Sequence, residues 1–345
     1  MKSQKALIEI RTGSDSDILK IRKAYEFLDS AGIAYSPRIL SAHRTPEAMA
    51  SEARRLSESG FFVSIAAAGG AAHLPGMTAS ETVLPVIGLP VTTANLNGQD
   101  SLYSIIQMPD GIPVGCVGIG DSESAAVLAA QIVCNNDIQK RIKIRALRRI
   151  EGALPDTNRA KPLAGIVMAA GTGTDNRKYS EMLSLLEQFG LQVKILDIDP
   201  ENDDGVKDTV RKLEAEGAVA ITVIGELGRQ RNTNHLPAVV SEITDVPVIG
   251  LPIAKGFAGS TPDNQEDIFR GMLHLAQPEA EAKGCPVAGM GINRYVNAGL
   301  FTAQIAGLFF PEVQQKVKAY RETLAESVRE KDKLIRSEGI TPFLK

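Results

Sequence analysis

Short apolar runs alternate with amphipathic stretches along the first 120 or so residues of this chain of 345. The apolar runs fall at residues 6–10, 33–40, 62–67, 85–89 and 113–117. Nearly continuous hydrophobicity over such lengths is what a strand buried on both faces of a sheet requires. Between the first two runs, Ile18, Ile21, Tyr25 and Leu28 follow helical 3-4-3 spacing, and Gly32 stands where that helix would stop. Pro46 suits a first helical turn, which residues 48–56 continue. Strands and helices alternating in this way predict an α/β fold with a parallel, doubly wound sheet and right-handed crossovers.

The pattern occurs twice. Leu84-Pro85-Val86-Ile87-Gly88-Leu89-Pro90 returns as Val246-Pro247-Val248-Ile249-Gly250-Leu251-Pro252, and His73-Leu74-Pro75 returns as His235-Leu236-Pro237, both 162 positions on. Pro113-Val114 matches Pro286-Val287, and Ala130-Gln131-Ile132 matches Ala303-Gln304-Ile305, both 173 positions on. Gly13-Ser14-Asp15-Ser16-Asp17 faces Gly171-Thr172-Gly173-Thr174-Asp175, 158 positions on. Matched order with a drifting offset indicates tandem duplication with loop insertions. The expected organisation is a first unit over 1–152, a second over 163–310 and a helical tail over 311–345. A basic helix over 135–150 and a linker over 152–158 would join the units. In the tail, Val313, Val317, Tyr320 and Leu324 make a narrow stripe suited to packing on a neighbour.

Composition narrows the class without naming it. Apolar residues make up 43% and charged residues 23%, ordinary for a soluble globular protein. A net charge of −3 gives no electrostatic reason to expect nucleic acid or an acidic membrane as partner. The three cysteines, Cys116, Cys134 and Cys285, are odd in number and far apart, which argues against a disulfide framework and for a reducing compartment. No cysteine or histidine pair has metal-ligand spacing. No signal-peptide core follows Met1, and no apolar run is long enough to span a bilayer, so the expected location is cytoplasmic.

Three polar turns follow the first three strands. In a doubly wound sheet, ligands bind in the crevice outside the carboxyl ends of the strands. The first turn, Gly13-Ser14-Asp15-Ser16-Asp17, offers backbone N–H groups and serine hydroxyls to an anion, with a carboxylate suited to ribose hydroxyls; equally, Ser and Asp there can cap a helix. It is neither GxxxxGK[ST] nor GxGxxG, so a nucleoside triphosphate or dinucleotide is not indicated. The second turn, Ser41-Ala42-His43-Arg44-Thr45-Pro46, sets an imidazole beside a guanidinium. An imidazole exchanges protons near neutral pH, which suits it to general acid/base work. In the third, from Ala66 through Gly69-Gly70 to His73-Leu74-Pro75, successive small residues let a ligand approach the backbone. Tight packing explains the alanines as well, and His73 could simply cap a helix.

Those motifs, with Asp100-Ser101-Leu102-Tyr103-Ser104-Ile105-Ile106-Gln107-Met108-Pro109-Asp110-Gly111-Ile112-Pro113-Val114, strongly resemble the N5-carboxyaminoimidazole ribonucleotide mutase and phosphoribosylaminoimidazole carboxylase family of purine biosynthesis over roughly residues 5 to 140. Arg11-Thr12, usually apolar in that family, depart from it locally. The resemblance implies two flavodoxin-like three-layer units and an assembly of eight units, supplied here by a homotetramer, with active sites shared between neighbours. It implies that Ser14, Ser16, Asp17 and Arg44 hold the ribose phosphate. Ser41, His43, the Ala68-Gly69-Gly70 backbone, His73 and Leu74 would surround the imidazole and its migrating carboxylate. His43 would be the general acid/base of an isomerase that converts N5-carboxyaminoimidazole ribonucleotide to 4-carboxy-5-aminoimidazole ribonucleotide, with CO2 passing between positions and neither metal nor organic cofactor.

Relatives that carboxylate aminoimidazole ribonucleotide directly with CO2, a lyase chemistry, carry Lys at the place of Arg44 and a bulkier polar loop at the place of Gly69-Gly70-Ala71-Ala72. This chain has the mutase form at both, and direct carboxylation is the alternative. Two others are a carboxylase of nickel-cofactor synthesis and a non-enzymatic flavodoxin-like nucleotide-binding module. The absence of Trp counts against a flavin carrier. The second unit has Asp199-Pro200-Glu201-Asn202 opposite the His-Arg turn, Gly225-Glu226-Leu227-Gly228-Arg229 opposite the Gly-Gly turn, and Gly173 in the anchor turn. Without imidazole and guanidinium it is expected to be degenerate and structural, or else to bind a different nucleotide through residues 171–175 and His235.

Overall fold

Ten strands lie side by side in one sheet in the computed structural model, which describes residues 5–94, 96–152, 154, 161–169, 172, 177–226, 236–254 and 286–344. The first half contributes β1 (Ile8–Thr12), β2 (Tyr35–Ile39), β3 (Val63–Ala68), β4 (Val86–Pro90) and β5 (Gly115–Cys116). The second contributes β6 (Leu163–Ala169), β7 (Gln192–Ile198), β8 (Ala218–Glu226), β9 (Val248–Ile253) and β10 (Val287–Gly289). The order is β2-β1-β3-β4-β5-β10-β9-β8-β6-β7. Pairing is parallel within each half, and the strand order of the second half repeats that of the first.

The sequence predicts a separate sheet for each unit; the structure instead joins the two halves in one sheet. β5 and β10 pair antiparallel, Gly289 opposite Cys116. Each would otherwise be a short edge with unpaired backbone groups, and joining them removes both edges. Small residues permit the approach: a Cβ on Gly115 would fall 2.8 Å from the Phe301 ring and 2.9 Å from the Ala288 methyl.

Helices cover both faces. On one lie α1 (Arg22–Ala31), α5 (Ser122–Cys134), α6 (Ile138–Arg148), α7 (Arg177–Phe189), α10 (Tyr295–Gly307) and α11 (Pro311–Glu338), around a single core with residues from both halves. On the other, α2 (Pro46–Arg54), α3 (His73–Glu81) and α4 (Gln99–Ile106) cover the first half, while α8 (Asp203–Ala215) and α9 (Leu236–Ile243) cover the second. α5 and α10 are buried nearly all round, as helices without a polar face must be. α11 spans the tail stripe as expected, with Val313 and Val317 fully buried and Leu324 at the margin.

One helix begins later than its spacing predicts. Ser14 caps a 3-10 turn over Asp15–Asp17, a further turn follows, and α1 starts only at Arg22. Its end is as expected: Gly32 sits in the left-handed region at φ 68° and its N–H returns to Asp29 and Leu28.

α6 binds the halves by charge. Arg141 Nε donates to Asp245 Oδ2 at 2.6 Å, and Arg145 Nη1 donates at 2.7 Å to both Glu214 Oε1 and Asp245 Oδ1, all four side chains being buried. Burial, followed by the neighbouring Asp245 carboxylate, holds Glu214 well above the usual carboxylate range. Burial acts on Asp245 in the same sense, but hydrogen bonds from Arg141, then Glu214 and Arg145, outweigh it and keep Asp245 low.

Candidate active site

β1, β2 and β3 are neighbours and run parallel, Thr12 in register with Ile39 on one side and Ala67 on the other. Their carboxyl ends share one sheet edge, and the three polar turns meet there. They line an open cavity of about 190 Å³. Gly13, Ser14 and Asp17 line it from the first turn, and Ser41, Ala42, His43 and Arg44 from the second. Ala68, Gly69, Ala71, His73 and Leu74 complete it from the third.

The imidazoles form the chemical centre. His43 Nε2 stands 2.9 Å from His73 Nδ1, with the rings at 76° to each other. At that distance one nitrogen carries the hydrogen and the other accepts it, so each ring fixes the tautomer of the other. His73 does not cap a helix: Ala72 is the N-cap residue of α3, no side chain caps it, and the His73 ring is directed to His43. The capping reading of His73 is thereby corrected.

Local hydrogen bonds explain why the second turn presents its ring outward. Ser41 Oγ accepts from Arg44 N at 3.1 Å, and Thr45 Oγ1 accepts from Ser41 N at 3.0 Å while donating to Ser41 O at 3.1 Å. Pro46 then opens α2. Arg44 is exposed, with Nη2 3.4 Å from Gly13 O, which bridges the first two turns. In the first turn Ser14 Oγ accepts from Ser16 N at 3.3 Å and lies 2.9 Å from Ser16 Oγ. Capping and lining are therefore both true of Ser14.

Two candidates stand apart from the cavity lining. Ser16 is exposed and hydrogen-bonds Ser14, and Gly70 N–H donates to Ser101 Oγ at 2.8 Å. Sequence reasoning gave no role to Ser101 or to Lys20, whose Nζ lies 3.3 Å from Asp17 Oδ1 and 3.3 Å from Thr92 O. A lysine three residues after an acidic turn was the available signal for Lys20; for Ser101 it was the motif containing it.

The second half builds its corresponding turn from other material. Asn202 Oδ1 accepts from Gly205 N at 3.0 Å as the cap of α8, and Asp199 Oδ1 accepts from Glu201 N at 3.0 Å. Thr172 N returns to Ala169 O. Gly171, residues 173–176, Leu227-Gly228-Arg229 and His235 lie outside the described residues.

Among the described residues, no group of three or more His, Cys, Asp or Glu could hold a metal ion, and no helix is long and apolar enough to cross a membrane. Burial raises the thiol of Cys116, and that of Cys134 to about 12, which leaves neither as a thiolate nucleophile.

The family model described as AIR carboxylase matches this chain twice, over residues 7–151 and 164–327. A relative from Pyrococcus horikoshii, an N5-carboxyaminoimidazole ribonucleotide mutase, is 53% identical over 133 residues, 39% of this chain and 75% of that protein. The protein of the same name from Vibrio cholerae is 45% identical over 158 residues, 45% of this chain and 98% of its own length. A phosphoribosylaminoimidazole carboxylase from Schizosaccharomyces pombe is 50% identical over 127 residues, 37% of this chain and 23% of that one.

Proposed function

The chain belongs to the AIR carboxylase family, and on that premise we propose that it is an isomerase of purine biosynthesis. It converts N5-carboxyaminoimidazole ribonucleotide to 4-carboxy-5-aminoimidazole ribonucleotide at the cavity of its first half. The observation that carries this reading is the His43–His73 contact at 2.9 Å in a small cavity walled by Ala68, Gly69 and Ala71. The relatives bearing the mutase name support the activity.

In this reading Ser14, Asp17 and Arg44 hold the ribose phosphate, with Ser16 hydrogen-bonded to Ser14. Ser41, Ala68, Gly69 and Leu74 surround the base, and Gly70 shapes that wall. His43, oriented by His73, gives a proton to the exocyclic nitrogen as its bond to the carboxyl carbon breaks, releasing CO2 into the cavity. The ring carbon then attacks CO2, and His43 takes the ring proton back, so proton and carboxyl group are both conserved. The small-residue wall of Ala68, Gly69 and Ala71 lets the base and the freed CO2 lie close together, so that recapture competes with escape to water.

The two halves are read as duplicated flavodoxin-like units over 1–152 and 163–310, followed by the tail, in a cytoplasmic enzyme. The second unit is structural, filling alternate places in a homotetramer of eight units. Its Asn202, which caps α8, and Asp199, which bonds the local turn, stand where the first half has an imidazole and a guanidinium and support that role.

Direct carboxylation is the second reading, supported by the name of the Schizosaccharomyces pombe relative. The two are separated by supplying the purified protein with the N5-carboxylated nucleotide, or with aminoimidazole ribonucleotide plus bicarbonate, at equal concentration. Our reading expects faster turnover of the carboxylated nucleotide and no gain from bicarbonate. Turnover of the unsubstituted nucleotide alone, rising with bicarbonate, would replace it with the second reading; turnover of neither would remove both.

A further inference from the structure

Gly70 is held away from the cavity, and Ser101 is what holds it. Gly70 lies in the left-handed region at φ 67°, a conformation that favours glycine. Its N–H donates to Ser101 Oγ at 2.8 Å, and the same hydroxyl donates to Val91 O at 3.0 Å. Ser101 is fully buried near the start of α4, and its hydroxyl is engaged both as acceptor and as donor. Val91 N in turn donates to Ala68 O at 2.9 Å, so one hydroxyl ties together the turn after β3, the chain after β4 and α4. Thr93 Oγ1 donates to Asp100 Oδ1 at 3.0 Å and accepts from Gly98 N at 3.3 Å, which pins the amino end of α4 beside Ser101. The residues flanking Gly70, Gly69 and Ala71, both face the cavity. Drawn toward the buried Ser101, Gly70 leaves Gly69 and Ala71 on either side as the exposed residues that line the cavity.

We propose that Ser101 is a positioning residue that holds the Gly69–Ala71 wall against the reacting groups while CO2 is free in the cavity. This rests on the mutase reading given above. In that reaction the bond from exocyclic nitrogen to carboxyl carbon breaks, the nitrogen gains a proton, a bond from ring carbon to CO2 forms, and the ring carbon loses a proton. CO2 that escapes between the two bond changes leaves aminoimidazole ribonucleotide as an end product. The ratio of that unsubstituted nucleotide to the carboxylated product reports the tightness of the wall. A loss of stability alone lowers the amount of active protein and leaves the ratio where it was.

The test compares wild type with Ser101→Ala, and with Ser101→Cys as a variant of similar size and weaker hydrogen bonding. Each reacts with the N5-carboxylated nucleotide, and both products are counted above the enzyme-free background. Wild type is expected to release little unsubstituted nucleotide. Ser101→Ala is expected to raise its share about tenfold, the size that one lost hydrogen bond of ordinary strength supports, and Ser101→Cys is expected to fall between. An unchanged ratio in a folded variant overturns the proposal while leaving the mutase reading intact; no conversion by wild type removes the mutase reading itself. Hydrogen exchange at Gly70 in the unmutated protein tests the clamp even if both variants fail to fold. A slowly exchanging Gly70 amide is expected, and one exchanging as fast as a free loop amide refutes the clamp.

Discussion

Removal of Asp245 should cost more stability than removal of a surface carboxylate held at the same distance. Asp245 Oδ2 accepts from Arg141 Nε at 2.6 Å and Oδ1 accepts from Arg145 Nη1 at 2.7 Å, with the Asp245 side chain 1% exposed. Asp245→Ala would leave two guanidinium groups facing the single carboxyl group of Glu214 in a site closed to water. Breaking a buried pair in this way costs about 3–5 kcal/mol, because the surviving charge stays buried without compensation. The Arg54–Glu81 pair is equally short at 2.6 Å, but its arginine is 62% exposed, and such pairs contribute about 0–1 kcal/mol. Burial rather than distance sets the difference. Urea unfolding of wild type, Asp245→Ala and Glu81→Ala, followed by circular dichroism at neutral pH, compares the two. The penalty falls on the junction, since Arg141 and Arg145 belong to α6 of the first half while Glu214 and Asp245 belong to the second. A loss for Asp245→Ala no greater than that for Glu81→Ala would refute the reasoning.

Three further outcomes follow from particular groups. Glu214 binds its proton more tightly folded than unfolded, so its contribution to stability is present at low pH and fades as pH rises from the ordinary carboxylate range through its raised value. Glu214→Gln, which resembles the protonated form, should flatten that alkaline decline in the unfolding midpoint, and an unaltered slope would contradict the assignment. Arg44→Met should raise KM by about 10–150-fold, the span of one charge-assisted hydrogen bond of about 1.5–3 kcal/mol, with kcat little changed; an unaltered KM would remove Arg44 from phosphate binding. Titration with a tight product analogue should find one site per chain, whereas two equal sites would show that the second half binds as well.

The sequence carried the first half's strands to within about two residues because each is a short apolar run in a sheet covered on both faces. It brought the candidate turns together for a related reason: His43, Arg44 and the Gly-Gly pair fall where strands end, and strands β1, β2 and β3 prove adjacent. Period and polarity along one chain do not reveal which edges meet, so the β5–β10 pairing that joins two sheets into one stayed hidden. The apolar helices α5 and α10 carry no stripe to count, and only their repeated Ala-Gln-Ile marked them. α1 began late because Ser14 and Asp15 bond the local backbone, a competition that apolar spacing does not register. The direction of Gly70 was likewise invisible, since it depends on Ser101, thirty-one residues away.

The amino-terminal imidazole is most directly tested by following a carboxyl group labelled with carbon-13 on the exocyclic nitrogen, using wild type and His43→Asn in parallel under carbon NMR. Wild type should move the label to the ring carbon, and the folded variant should do so at least about a hundredfold more slowly, as expected on loss of a general acid/base. A variant that transfers label within about tenfold of wild type, a barrier change of only ~1.4 kcal/mol, would show that His43 does not carry the proton.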